Sequence, residues 1–259
     1  MNIHHLNCGV LHAPPSPPAA CHCLLLEHGG RLALVDTGIG LADIAHPVER
    51  IGQSAIDGAG FQFHEHRTAA RQIERLGFST AAVTDIVLTH ADPDHAGGLA
   101  DFPDAAVHLS AEEFAQLGRG NWRYAPAQFA HEPRWVTHAA VPDQASPTRW
   151  FGLEARALPL ALDVEAVLVP LVGHTAGHCG VAVHDGSRWL LHVGDAYYLR
   201  VELSTDEHPV SQLATMRAEN DSQRRASLHE LRRLARDHAN EIEMFGYHDL
   251  TEFPNGVSG

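Results

Sequence analysis

At 259 residues the chain is long enough to bury a substantial core, and the expectation is one α/β domain spanning residues 1–259 without a linker. Its 32 acidic against 18 basic residues give a formal charge of -14, which argues against a nucleic-acid binder, since such a protein needs a basic face to meet phosphates. No early segment joins a basic start to a long apolar run, and no stretch of about 20 apolar residues would span a bilayer, so a cytoplasmic protein with no membrane partner is expected.

Residues 1–20 carry Pro14, Pro15, Pro17 and Pro18 and read as an extended loop. Two strands follow, Cys21 to Glu27 and Arg31 to Asp36, with Gly29-Gly30 as their hairpin turn. The second ends in Val35-Asp36-Thr37-Gly38, and an Asp at a strand end beside a Gly can hold a metal-binding His in one orientation. Residues 40–66 are of mixed polarity and read as a long loop or short helices near a substrate entrance. A helix is predicted from Arg67 to Leu76, with Ala69, Ala70, Ile73 and Leu76 on its apolar stripe and Gly77 as its stop.

The apolar run Ile86-Val87-Leu88 reads as a buried strand, and Thr-His-Ala-Asp-Pro-Asp-His-Ala-Gly-Gly follows it over residues 89–98. His90, Asp92, Asp94 and His95 are four side chains that can bind a metal, placed where α/β folds put their chemistry. A polar loop with a helix N-cap at Asp94 accounts for one of them and leaves the rest unexplained. Next come a short strand, Ala106 to Leu109, and a helix through Leu117 with Ser110 and Glu113 as its capping box. Residues 118–150 hold Trp122, Tyr124, Phe129 and Trp135 in a loop-rich segment that would line a substrate pocket, make a dimer contact or pack in the core.

Strands are predicted at Trp150 to Leu153, Val164 to Pro170, Gly180 to His184 and Arg188 to Val193, the last two joined at Asp185-Gly186. A helix over Ser222 to His238 buries Leu228, Leu231 and Ala235, and a last strand runs from Ile242 to Phe245. The four cysteines, Cys8, Cys21, Cys23 and Cys179, are too few for a disulfide scaffold and read as buried free thiols. The 21 histidines invite a search for further ligands. His174 in Gly-His-Thr-Ala-Gly-His (173–178), Asp195 in Gly194-Asp195 and His248 in Gly246-Tyr247-His248-Asp249 each follow an apolar strand.

Taken in order, these stretches resemble the metallo-β-lactamase superfamily: Thr89 to His95 matches its Thr-His-x-His-x-Asp-His loop, Gly173 to His178 its Gly-His-Thr-x-Gly-His stretch, and Gly194-Asp195 and His248 its later marks. The resemblance implies a four-layer αββα sandwich of the metallo-β-lactamase type with two divalent metal ions in the groove between the sheet edges. By position, His90, Asp92 and His174 would hold one ion, Asp94, His95 and His248 the other, and Asp195 would bridge them. Asp36, Thr89 and Thr175 would orient these ligands from behind. Asp92 stands where most relatives have His, so two ions and a bridging hydroxide would sum to about zero charge rather than plus one. The harder carboxylate favours iron or manganese more than an all-nitrogen site does, while zinc remains the expected metal.

A hydroxide held between two cations would attack a carbonyl, so the resemblance implies hydrolysis, with Asp94 as ligand and late proton carrier. Tyr198 lies three residues after Asp195, where the lactonase branch has a Tyr that donates to the substrate oxygen, and Tyr197 competes for that role. The expected substrate is a small lactone or carboxylic ester. An iron-dependent oxidoreductase of the same fold (a sulfur dioxygenase or diiron type), a thioesterase, a β-lactam hydrolase and a non-catalytic binding protein are the alternatives. A homodimer is a family-level expectation only.

Overall fold

The computed structural model describes residues 1–14, 16–140 and 149–254. In chain order its strands are β1 Asn2–Leu11, β2 Ala19–His28, β3 Arg31–Val35, β4 Phe61–Gln62, β5 Val83–Val87, β6 Ala106–Ser110, β7 Arg134–His138, β8 Arg149–Trp150, β9 Leu153–Glu154, β10 Arg156–Ala157, β11 Ala166–Pro170, β12 Cys179–His184, β13 Trp189–His192 and β14 Ile242–Phe245. One sheet has the order β4-β1-β2-β3-β5-β6-β7, a second the order β10-β11-β12-β13-β14, and β8 pairs with β9 alone.

Side-chain alternation along the strands builds three apolar layers. Leu24, Leu26, Ala33, Val35 and Val87 of the first sheet meet Leu168, Val181, Val183, Leu190 and Phe245 of the second, so the sheets pack face to face. The opposite face of the first sheet, with Cys23, Leu25, Leu34 and Ile86, is covered by Ala69, Ala70 and Ile73 of helix Ala69–Arg75 and by Leu99. Helix Asp221–Asp237 covers the outer face of the second sheet through Leu228, Leu231 and Leu234. Each large aliphatic side chain removed from water in these layers contributes roughly 1.5–3 kcal/mol. The result is the expected αββα sandwich.

Strand direction then fixes where the chemistry falls. β3, β5 and β6 are mutually parallel, so they leave the first sheet at one edge. β11 and β13 both run antiparallel to β12, and β14 is parallel to β13, so these three leave the second sheet in a common direction. Every predicted ligand follows β5, β11, β13 or β14.

Several elements differ from expectation. Residues 2–11 form a full strand between β4 and β2 rather than a loop. The prolines lie beyond it, and Pro15 lies outside the described residues. Trp150 to Leu153 is a hairpin turn rather than a strand, with Phe151 and Gly152 at positive φ of 47° and 87° between β8 and β9. Helix Ala69–Arg75 begins two residues later than predicted, where Thr68 accepts a hydrogen bond from Arg71 N, and Leu76 is exposed beyond the helix. On helix Asp221–Asp237 it is Leu234, not Ala235, that joins Leu228 and Leu231 in the core. Helix Pro209–Arg217 and strand β7 have no counterpart in the sequence reading.

Residues 40–66 resolve into short helices at Leu41–Ala45, Pro47–Arg50 and Gln53–Ala59, followed by β4. Of the aromatic segment, residues 141–148 lie outside the described residues; before them Tyr124 is buried and Trp122 is exposed. All four cysteines are free and buried. Among the described residues no helix is long and apolar enough to cross a membrane.

Candidate metal centre

The loop after β5 presents His90 and His95 fully buried, with Asp94 at the rim. Their imidazoles are oriented from behind. His95 Nδ1 lies 2.9 Å from Asp36 Oδ2, His90 Nδ1 lies 3.1 Å from Thr89 Oγ1, and His248 Nδ1 lies 2.8 Å from the Ala20 carbonyl oxygen. In each case the Nδ1 proton is donated to an oxygen, which fixes the tautomer and leaves Nε2 with a free lone pair. Asp36 also accepts from Thr89 N and Thr89 Oγ1, both at 2.8 Å, and so ties the strand end to the loop.

Two groups have ligand atoms that all lie within 4.8 Å of one another: His90, His174 and Asp195, and Asp94, His95 and His248. Asp195 also borders the second group, with Oδ1 3.3 Å from His95 Nε2 and Oδ2 3.3 Å from His248 Nε2. Nitrogen and oxygen ligands about 2.1 Å from a tetrahedral ion stand about 3.4 Å apart, so this spacing suits a metal. Asp94 Oδ2 completes the second group at 3.7 Å from His95 Nε2 and 3.8 Å from His248 Nε2.

Two further observations favour a cation here. Among the described residues, buried His90 Nε2, His95 Nε2 and Asp195 Oδ1 have no hydrogen-bond partner, a costly state that a bound ion would relieve. Burial alone would lower the pKa of His95, yet the charges of Asp195, Asp36 and Asp94 push it well above the ordinary histidine value. Burial would likewise lower that of His248, and Asp195 reverses the shift. The second group is therefore a pocket whose electrostatics draw positive charge.

Asp92 is in neither group. Its Oδ2 is 3.2 Å from His174 Nε2 and 3.4 Å from His90 Nε2, but both of its oxygens face Arg123, with Nε donating to Oδ1 at 2.9 Å and Nη2 to Oδ2 at 2.5 Å. Burial would raise the pKa of Asp92; the guanidinium and then His90 hold it well below the carboxylate range. Arg123 escaped the sequence reading, which weighed its neighbour Trp122 and no partner for Asp92. The charge sum expected from the sequence omitted this guanidinium, a fixed positive charge beside Asp92.

Glu113 also escaped notice as anything but a helix cap. Ser110 does accept from Glu113 N, but the Glu113 carboxylate is wholly buried and accepts from Ala91 N at 3.0 Å, Tyr124 Oη at 2.9 Å and Thr175 Oγ1 at 2.6 Å. Thr175, next to His174 in the loop after β11, is thus tied through this carboxylate to the loop after β5. His178, the second His of that stretch, donates from Nδ1 to the Leu171 carbonyl and accepts from Asp195 N at 3.0 Å, so it positions Asp195. Gly194 makes this possible: at a φ of 55°, a Cβ there would stand 2.6 Å from His178 Nε2.

The two tyrosines separate. Tyr197 donates its hydroxyl to Glu252 Oε1 at 2.9 Å and packs in the outer core of the second sheet. Tyr198 lies against the centre, its ring 5.3 Å from that of His248 and 5.9 Å from that of His174. Burial, then the charge of Asp195, raise its pKa well above the phenol value, so its hydroxyl keeps its proton.

A face-to-face αββα sandwich with His and Asp side chains gathered at the strand exits of both sheets defines a class of metal-site proteins. The family model described as the metallo-beta-lactamase superfamily matches residues 16–242, and the chain belongs to that superfamily. Two proteins named probable metallo-hydrolase, from Mycobacterium bovis and Mycobacterium tuberculosis, are each 46% identical to it over 208 residues, 77% of this chain. The chain spans 64% of the length of these relatives. Among solved structures, an N-acyl homoserine lactone hydrolase with N-hexanoyl-L-homoserine bound at its catalytic metal centre is similar with a TM-score of 0.71. That likeness covers 98% of each chain at 18% identity, and it bears on the fold.

Proposed function

We propose that the chain is a metal-dependent hydrolase that opens a lactone or carboxylic ester of a small molecule, with zinc as its metal. The observation that carries this reading is the second ligand group, where oriented imidazoles and carboxylates meet at metal spacing and buried His95 Nε2 has no hydrogen-bond partner among the described residues. The relatives named metallo-hydrolase support hydrolysis, and the lactone hydrolase of similar fold supports the substrate class. A divalent ion bound here supplies an acidified water and polarises the carbonyl oxygen under attack.

The chain's own residues do the rest. Asp36, through His95 Nδ1, and the Ala20 carbonyl, through His248 Nδ1, keep both Nε2 atoms aimed inward. Asp94 takes a proton and returns it to the departing alkoxide, a role that its 9% exposure at the rim supports. Tyr198 donates its retained proton to the substrate oxygen. The test is purified, metal-loaded protein presented with lactones, carboxylic esters, thioesters and β-lactams. Lactone or ester opening that disappears in His95→Ala is expected, and turnover of thioesters or β-lactams alone contradicts the substrate class.

A further inference from the structure

The two ligand groups differ in one respect that bears on how the centre is loaded. In the second group the imidazole Nε2 atoms face only carboxylates. In the first, His174 Nε2 lies 2.7 Å from Arg123 Nη2. An imidazole nitrogen has one lone pair, which a guanidinium N–H and a metal cannot share.

Arg123 is not a loose surface side chain that would swing away. Its side chain is 4% exposed, and beyond Asp92 and His174 its Nη1 donates to the Arg217 carbonyl oxygen at 2.5 Å. The backbone that carries it is pinned on both sides. Asn121 Oδ1 accepts from Arg123 N at 3.1 Å and Asn121 Nδ2 donates to Glu219 at 2.7 Å, while the next residue, Tyr124, bonds to buried Glu113. The fork geometry of guanidinium on carboxylate is what arginine offers and a lone ammonium does not.

We propose that the Arg123 guanidinium is the resident cation of the first half-site, and that the chain holds one tightly bound divalent ion, at Asp94, His95, His248 and Asp195. With His174 and Asp92 engaged by Arg123, the first half-site keeps only His90 Nε2 and one edge of Asp195. Two protein donors fall short of the three that a catalytic zinc site takes from its protein. The Asp at position 92 is then the counterpart of an arginine, not a harder ligand. This inference rests on the hydrolase reading and refines its metal content.

The test is metal content by elemental analysis after zinc loading and exhaustive dialysis, with a cobalt titration followed by its visible absorption, for the wild type and Arg123→Met. One ion per wild-type chain, with cobalt absorption saturating at one equivalent, and two per chain in Arg123→Met are expected. Two tightly held ions in the wild type overturn the inference and leave the hydrolase reading standing, and this count does not depend on how well the variant folds. A folded Arg123→Met that still holds one ion overturns the role given to Arg123. No ion in either protein overturns the metal-dependent reading itself.

Discussion

His95 presents its Nε2 to the centre because Asp36, 59 positions earlier in the chain, holds its Nδ1 at 2.9 Å. Asp36 does so from a φ of 54°, a backbone region that a non-glycine residue enters at a cost and keeps only where the surroundings demand it. Removing the carboxylate charge should therefore weaken the metal more than the fold. Asp36→Asn is expected to lower metal affinity about 10–100-fold, the usual effect of losing a ligand's supporting partner. Competition with a chromophoric chelator measures it, and unchanged affinity would show that His95 is held by other means.

Gly194 is expected to tolerate no side chain. A Cβ would stand 2.6 Å from His178 Nε2 and 2.9 Å from Thr89 Cβ, at a φ of 55°. Gly194→Ala should lower the free energy of unfolding by about 2–4 kcal/mol, combining left-handed backbone strain with overpacking. Urea unfolding provides the number.

Tyr198→Phe and Tyr197→Phe should divide activity from stability. The first is expected to lower kcat on the order of 10²-fold with little change in KM, as loss of a transition-state donor does. The second removes the hydroxyl bonded to Glu252 and should cost about 1 kcal/mol of stability with kcat intact. Equal kcat losses in both would remove the distinction between them.

Asp101, outside both ligand groups, is one contributor to the pH dependence of stability. Burial, reinforced by the charge of Asp43, raises the pKa of Asp101 to about 6, from 3.8 in the unfolded chain. The folded state thus binds this proton more tightly, so the contribution of Asp101 to stability is fully present below pH 3.8 and is lost as pH rises through about 6. Asp101→Asn, whose amide oxygen can still accept from Leu41 N, should gain up to about 3 kcal/mol above that window and nothing below it. Thermal melts at pH 3.5 and pH 8 decide this, and an equal gain at both would contradict it.

How much of this was legible in the sequence follows from the range of each signal. Strands such as β5 and β11 announced themselves as apolar runs bounded by turn residues, and the ligands followed them at short, local spacing. β1 did not, because its His4, His5 and Asn7 interrupt the apolar alternation and their partners lie on β2 and in the second sheet. Trp150 and Leu153 read as a strand since nothing in a bulky residue such as Phe151 signals a positive φ. Arg123 and Glu113 act on residues 31, 51 and 62 positions away, through contacts that no periodicity encodes. The direct ligands were therefore readable as a motif, while the groups that charge and brace them emerged only in three dimensions.

The most direct measurement of the central claim is lactone ring opening, followed by acid release in a pH-stat, on chelator-stripped protein before and after zinc is restored. The account predicts background rates in the stripped protein and recovery of most of the original rate with zinc. Ring opening that survives complete metal removal would contradict it.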